Sequence, residues 1–87
     1  MTYEVRLAPP ARRALATQLP EAVAAACYAF LSGPLADNPH RVGKPLTGTY
    51  EGLHSARRGE YRVIYRIDDG IVVVVIVAIR HRHDAYR

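Results

Sequence analysis

Arg57, Arg62 and Arg80, together with His83 and Tyr86 near the C-terminus, are the residues whose types and spacing can do chemistry. Guanidinium groups set into the strands of a small sheet form a rigid array of charged forks, and such forks match the oxygens of a phosphate. An arginine beside a reacting phosphate neutralises the charge that builds up in the transition state. His83 or Tyr86 can move protons to or from a ribose 2′-hydroxyl or a leaving 5′-oxygen. Attack by that 2′-hydroxyl needs no metal. Lys44, Ser55, His81 and Arg82 are further candidates for holding substrate.

No cofactor is expected. The chain has no Gly-rich phosphate loop, no G-x-S-x-G elbow and no H-E-x-x-H pair. Gly43-Lys44-Pro45 is not a P-loop: the upstream glycine and the following Ser or Thr are missing. His81 and His83, two apart with no cysteine and few acids nearby, fit a zinc site poorly. A single cysteine, Cys27, excludes an intrachain disulfide and reads as a buried structural thiol.

The charge balance points to an anionic partner. The net charge is +4, and eleven of the twelve basic residues are arginine, Lys44 being the exception. On a basic chain this short, the first anion to suspect is a nucleic-acid phosphate. The 87 residues make one domain, 1–87, with 49% hydrophobic residues to form a core. The start, Met1 to Arg6, shows no signal peptide. The apolar run Ile71–Ile79 is far short of the ~20 residues that span a bilayer. A cytoplasmic protein without membrane contact is expected.

The elements that must position these residues follow from periodicity. Tyr3, Val5 and Leu7 alternate with Glu4 and Arg6 as in a strand. Pro9 and Pro10 suit the first turn of a helix over Ala11–Leu19, which Pro20 ends. A second helix begins near Glu21 and stops near Ser32-Gly33-Pro34. Its core stripe is Val23, Ala26, Cys27, Phe30 and Leu31. Asp37–Thr49, with two prolines and two glycines, reads as loop. Strands follow at Tyr50–Arg57, Glu60–Ile67 and Ile71–Ile79, joined by turns at Arg58-Gly59 and Asp68-Asp69-Gly70. The expected fold is α+β. Two N-terminal helices pack on one face of a four-stranded, mainly antiparallel sheet in the order β-α-α-β-β-β, with Ile71–Ile79 central.

Alternation divides the strand faces. Tyr61, Val63, Tyr65 and Ile67 meet the helices, while Arg62, Ile64 and Arg66 share the other face. Leu53, Ser55 and Arg57 lie together, with His54 turned away. A turn at Arg58-Gly59 makes Arg57 and Glu60 neighbours and sets Arg62 opposite Ser55. The competing expectation is that Arg62 and Arg66 only pair with Glu51 or Asp68 across the strands.

Several segments carry a resemblance to a known family. They are Asn38-Pro39-His40-Arg41-Val42-Gly43-Lys44-Pro45-Leu46, Gly59-Glu60-Tyr61-Arg62-Val63-Ile64-Tyr65 and His81-Arg82-His83-Asp84-Ala85-Tyr86-Arg87. Together these resemble the RelE/ParE superfamily of toxins from bacterial toxin–antitoxin modules, nearest to the RelE and YoeB branches that cut messenger RNA on the ribosome. The resemblance implies a ribosome-dependent endoribonuclease that works without a metal, inhibits translation and growth, and is held in check by a cognate antitoxin. It implies that Arg62 is the strand arginine of the catalytic site, that Arg80 stabilises the scissile phosphate, that Tyr86 orients or stacks on the substrate, and that Arg57 belongs to the same face. The chain departs from the pattern at Leu46, Leu53 and Ser55, where acidic or basic residues are frequent, so His83, His81 and Glu51 all stand as general-base candidates. The alternative is a ParE-type gyrase inhibitor, or a toxin fold that only binds its antitoxin.

Overall fold

A computed structural model describes residues 2–84. Strand β1 (Glu4–Leu7) leads into helix α1 (Pro9–Arg13), which widens into a π-helical turn over Ala14–Gln18. Prolines occupy the start of α1, where the absent amide hydrogens are not missed. The widened turn closes with the Leu19 amide donating to the Ala14 carbonyl, 2.9 Å, five residues back. Helix α2 (Glu21–Phe30) runs on through a second π-helical turn, Leu31–Leu35, which absorbs Pro34. The predicted stop at Ser32-Gly33-Pro34 is therefore a widening of the helix.

The stretch predicted to be loop contains two short elements. Helix α3 (Pro39–Val42) starts on a proline, and strand β2 (Lys44–Pro45) pairs antiparallel with Ser55 and His54. Strands β3 (His54–Arg58), β4 (Tyr61–Asp68) and β5 (Val73–His81) complete a five-stranded sheet in the order β1-β5-β4-β3-β2. The sheet is mixed: β1 runs parallel to β5 and all other pairs are antiparallel. The fold class stands as expected, with a fifth strand added. A two-residue strand carries no alternation, which is why the sequence pattern does not reveal it.

Two turns move the strand boundaries. The β3–β4 turn is Gly59-Glu60, with φ 58° at Gly59. A II′ turn needs that positive φ at its first central position, so glycine takes it and Arg58 is drawn into β3. Arg57 therefore faces Arg62, and Ser55 faces Ile64. This replaces the expected pairings of Arg57 with Glu60 and Arg62 with Ser55. The slip is an even number of residues, so each side chain keeps its predicted face. In the β4–β5 turn, the Asp68 carboxylate accepts from the Gly70 amide (3.0 Å) and the Ile71 amide (3.4 Å). This Asx turn keeps Ile71 outside the ladder and exposed, and β5 begins at Val73.

The core lies between the helices and one sheet face. Ala11, Ala14, Cys27, Phe30, Leu31 and Leu35 pack against Ala56, Val63, Tyr65, Val74, Ile76 and Ile79. Tyr61 and Ile67 join its margin, so the predicted helix-facing set of β4 is correct. Ala26 is the exception in the α2 stripe: it is exposed at the flank of the contact. Val77 is an extra residue in β5, because Ile64 pairs with Ala78 while Tyr65 pairs with Ile76. This bulge lets an unbroken aliphatic run keep Val74, Ile76 and Ile79 all on the helix side. Among the described residues no helix is long and apolar enough to cross a membrane.

Tyr65 ties the core to α3. Its fully buried hydroxyl donates to the Pro39 carbonyl at 2.7 Å, and burial pushes its pKa up to about 12. Gly43 lies against this bond: a Cβ there would meet the Tyr65 hydroxyl and come within 2.8 Å of the Ser55 carbonyl oxygen. Gly43→Ala should therefore cost about 1–3 kcal/mol by overpacking. A thermal scan should show a Tm lowered by roughly 4–8 °C per kcal/mol. An unchanged Tm would mean that the segment is free to shift.

Candidate functional site

The observed register sets three arginines in one cross-strand row. Arg57 of β3 faces Arg62 of β4, and Arg62 faces Arg80 of β5. All three lie on the open face, since Ala56, Val63 and Ile79 beside them are in the core. Arg57 and Arg80 are exposed and Arg62 is half-buried. The Arg57 Nε donates to the Gly59 carbonyl at 3.3 Å, which holds that side chain beside the turn.

Next to the row is a cleft of ≈ 390 Å³, lined by Arg41, Val42, Gly43, Lys44, Ser55, Arg57 and Arg62. It exists because β2 adds to the edge of β3 and places Lys44 opposite Ser55. Ser55 is only 8% exposed, and its Oγ has no hydrogen-bond partner among the described residues. A buried hydroxyl without a partner is uncommon, and this one lines a cleft.

Among the described residues no carboxylate lines this cleft. Three acids are engaged in other contacts: Glu4 with Arg6, Glu60 with Arg82 at 2.8 Å, and Asp69 with His40. Among the described residues no ion pair joins Arg62 or Arg66 to Glu51 or Asp68, so the competing cross-strand pairing is not found there. The chemistry open to such a site is the binding and charge neutralisation of phosphate.

The other predicted residues fall outside this row. His81 pairs with Tyr61 on the helix side of the sheet, one residue and therefore one face away from Arg80. Its ring meets the Tyr61 ring edge-on at 5.4 Å, and His83 stacks on it at 5.0 Å. Arg82 is engaged by Glu60 at the turn. Glu51 follows a 3-10 turn, Gly48–Tyr50, and does not line the cleft. Tyr86 lies outside the described residues. Among the described residues, no three of His, Cys, Asp and Glu converge on one point.

A second titratable cluster braces the far end of the sheet. The Tyr3 hydroxyl donates to Asp69, and His40 Nε2 lies 3.0 Å from both Asp69 oxygens. The Tyr3 bond, then the His40 bond, hold the Asp69 carboxyl below its ordinary range; the same Tyr3 bond pushes the phenol up. The His54 ring stacks on Tyr65 at 5.5 Å and meets His40 edge-on at 5.9 Å. Burial first, then the charge of His40, lowers the pKa of His54. These contacts tie α3 to β3, β4 and the β4–β5 turn, and so fix the segment that carries Arg41 and Lys44 to the cleft.

Comparison with known proteins assigns the chain to a family. The family model described as the ParE toxin of type II toxin–antitoxin systems matches residues 5–86. Toxin RelE of Mycobacterium tuberculosis is 55% identical over 85 residues, covering 98% of this chain and 87% of that protein. The chain belongs to the RelE/ParE superfamily of toxins. The toxin also matches a chain of the RelBE2 toxin–antitoxin complex from M. tuberculosis with a TM-score of 0.89 and 48% identity, over 94% of this chain and 100% of the other. A chain of the archaeal RelE–RelB complex from Pyrococcus horikoshii matches with a TM-score of 0.74 and 30% identity, over 98% and 100%.

Arg41 is the cleft residue that sequence reasoning missed in this toxin. It lies in the stretch taken for loop, and only the short β2 pairing brings it to the site. Its sole sequence signal is its place three residues before Lys44.

Two outcomes follow for the toxin. Like charges directly opposite on neighbouring strands are destabilising. Arg62→Gln should therefore keep or raise the Tm at low salt, where screening is weak, and inorganic polyphosphate should raise the Tm of the parent more than that of the variant. A Tm drop of several degrees without ligand would show that Arg62 is a structural side chain. The second outcome concerns pH. The unfolded chain protonates His54 near its ordinary pKa of about 6.5, whereas the folded chain does so only at lower pH. Stability should therefore fall as pH drops through that window, and Asp69 adds a loss of the same sign at still lower pH. His54→Phe keeps an aromatic ring on Tyr65 and should flatten the Tm–pH curve between about pH 7 and pH 5. An unchanged slope would assign the dependence to other groups.

Proposed function

We propose that this toxin is an endoribonuclease that cuts messenger RNA on the ribosome, with the row Arg57–Arg62–Arg80 holding the reacting phosphate. The observation that carries the reading is the register: three arginines are paired in one cross-strand row on the open face, beside a cleft that adds Arg41, Lys44 and Ser55 and has no acid among its described lining residues. The identity to Toxin RelE of M. tuberculosis supports it. The substrate's own 2′-hydroxyl attacks the adjacent phosphorus. A new O–P bond forms, the bond to the 5′-oxygen breaks, and the products are a 2′,3′-cyclic phosphate and a 5′-hydroxyl. The proton leaves the 2′-oxygen and one is delivered to the 5′-oxygen. The arginines neutralise the charge of the five-coordinate transition state. Tyr86 is the proton carrier and stacking residue suggested by the sequence. His81 and His83, grouped with Tyr61 on the other face, are not assigned to the step.

The reading includes a partner. RelBE2 of M. tuberculosis and RelE–RelB of P. horikoshii are toxin–antitoxin complexes, and a cognate antitoxin is the expected partner here too. It would mask the basic face and restrain the toxin until it is removed.

Arg62→Ala and Arg80→Ala should each slow cutting by about 10²–10³-fold, as for loss of one transition-state donor, while leaving the fold intact. Tyr86→Phe is the third change to make. The measurement is growth arrest on induction together with end-mapping of translated messages. Cutting that survives both arginine changes, or that stops with EDTA, would overturn the mechanism. Arrest with intact messages and inhibited gyrase would favour the ParE-type activity that the matching family model names.

A further inference from the structure

The basic row continues past β5. On its far side, Arg80 lines a second, smaller cleft of ≈ 160 Å³ with Ala78, Ile79 and the Pro10, Arg13 and Gln18 of the first helical segment. The topology creates this contact. β1 pairs only with Val73–Ile76 of β5, and the Ala8 amide makes a last bond to the Ile76 carbonyl at 2.9 Å. Pro9-Pro10 then starts α1 alongside the rest of β5, whose edge on that side no strand covers among the described residues. Arg13 and Gln18 are exposed, and among the described residues no carboxylate lines the cleft.

The width of the whole array decides what it can hold. Neighbouring strands lie about 4.7–4.9 Å apart, so the backbone row from Arg57 to Arg80 spans roughly 10 Å, and α1 lies beyond it. One phosphate is too small to take its contacts from both ends of that array. A nucleic-acid strand lying across the sheet offers several phosphates in succession, and basic side chains along its path each take one.

We propose that Arg13 and Gln18, with Arg80 at the shared wall, form a second phosphate subsite that holds the phosphate next to the scissile one. Arg80 stands between the two subsites, and Arg13 is a binding and positioning residue rather than a catalytic one. The proposal rests on the reading of the arginine row as an RNA site. It extends that site across the sheet edge onto α1.

The test is a phosphate scan with the intact toxin, freed of antitoxin, on a short 2′-O-methyl RNA, which binds without being cut. Each phosphate in turn is replaced by a neutral methylphosphonate, and affinity is measured at low salt for the parent, Arg13→Ala, Gln18→Ala and Arg62→Ala. Thermal scans confirm that each variant is folded. One phosphate should cost the parent about tenfold when neutralised and cost Arg13→Ala nothing, because its partner is already gone. The salt slope of Arg13→Ala should be smaller than the parent's by about one contact. Gln18→Ala should weaken binding through the same phosphate. Arg62→Ala should couple to a different, neighbouring phosphate. If Arg62 couples to a phosphate and Arg13 to none, or if both couple to the same one, the second subsite is overturned and the arginine row stands. If no phosphate couples to Arg62, or the RNA does not bind, the reading of the row fails and the subsite fails with it.

Discussion

Arg57, Arg62 and Arg80 repel one another, and the apolar layer on the reverse of the same strands holds them in line. Each is flanked in sequence by a helix-facing residue, Ala56, Val63 or Ile79, that is locked in the core. Burying those side chains fixes the strand faces, and the II′ turn at Gly59 fixes the register within them. Cation repulsion across two strand spacings is screened by water and salt at an open surface, whereas core packing is not. Packing therefore wins, and the three arginines stay in register on one face. A site of this kind is complementary to its ligand before the ligand arrives, because no reorganisation is needed to bring the charges together.

The edge of the sheet depends on a different constraint. β2 is too short to hold itself in place, with only Lys44 and Pro45 in the ladder. What fixes it is the Tyr65–Pro39 hydrogen bond on one side of Gly43 and the Tyr3–Asp69–His40 bonds beyond it. Gly43 has the role of a gap: the absence of a side chain lets the α3–β2 connection lie against the Tyr65 hydroxyl and the Ser55 carbonyl. The cleft that carries Arg41 and Lys44 is thus positioned from the core outward.

The sequence made the fold class legible because its strongest signals are local. Proline pairs bound the helices, and alternation in Tyr61–Ile67 separates the two faces. Parity sets Arg62 on the open face, with Arg57 across the turn from it, whereas Arg80 joins them only because the extra residue Val77 shifts the alternation of β5. What was not legible depends on longer range or on exact turn chemistry. Whether Gly59 is the first or second central residue of its turn decides which residue faces Arg62, and either placement suits the neighbouring sequence. His83 is close to Arg80 in sequence, yet the strand period sends His81 to the opposite face and His83 stacks there with it. Arg41 and Arg13 come to the basic face only through the β2 edge pairing and the short β1–β5 ladder, neither of which leaves a pattern in sequence.

The choice of arginine over lysine follows from the same geometry. A lysine placed opposite two other cations, and half-buried as Arg62 is, would be driven toward its neutral form, because like charge and desolvation both lower an ammonium pKa. It would then lose the charge the site needs. A guanidinium is a far stronger base and stays charged in proteins, and its planar fork gives two hydrogen bonds to one phosphate. The only lysine of the chain, Lys44, lies exposed on β2 at the rim of the cleft.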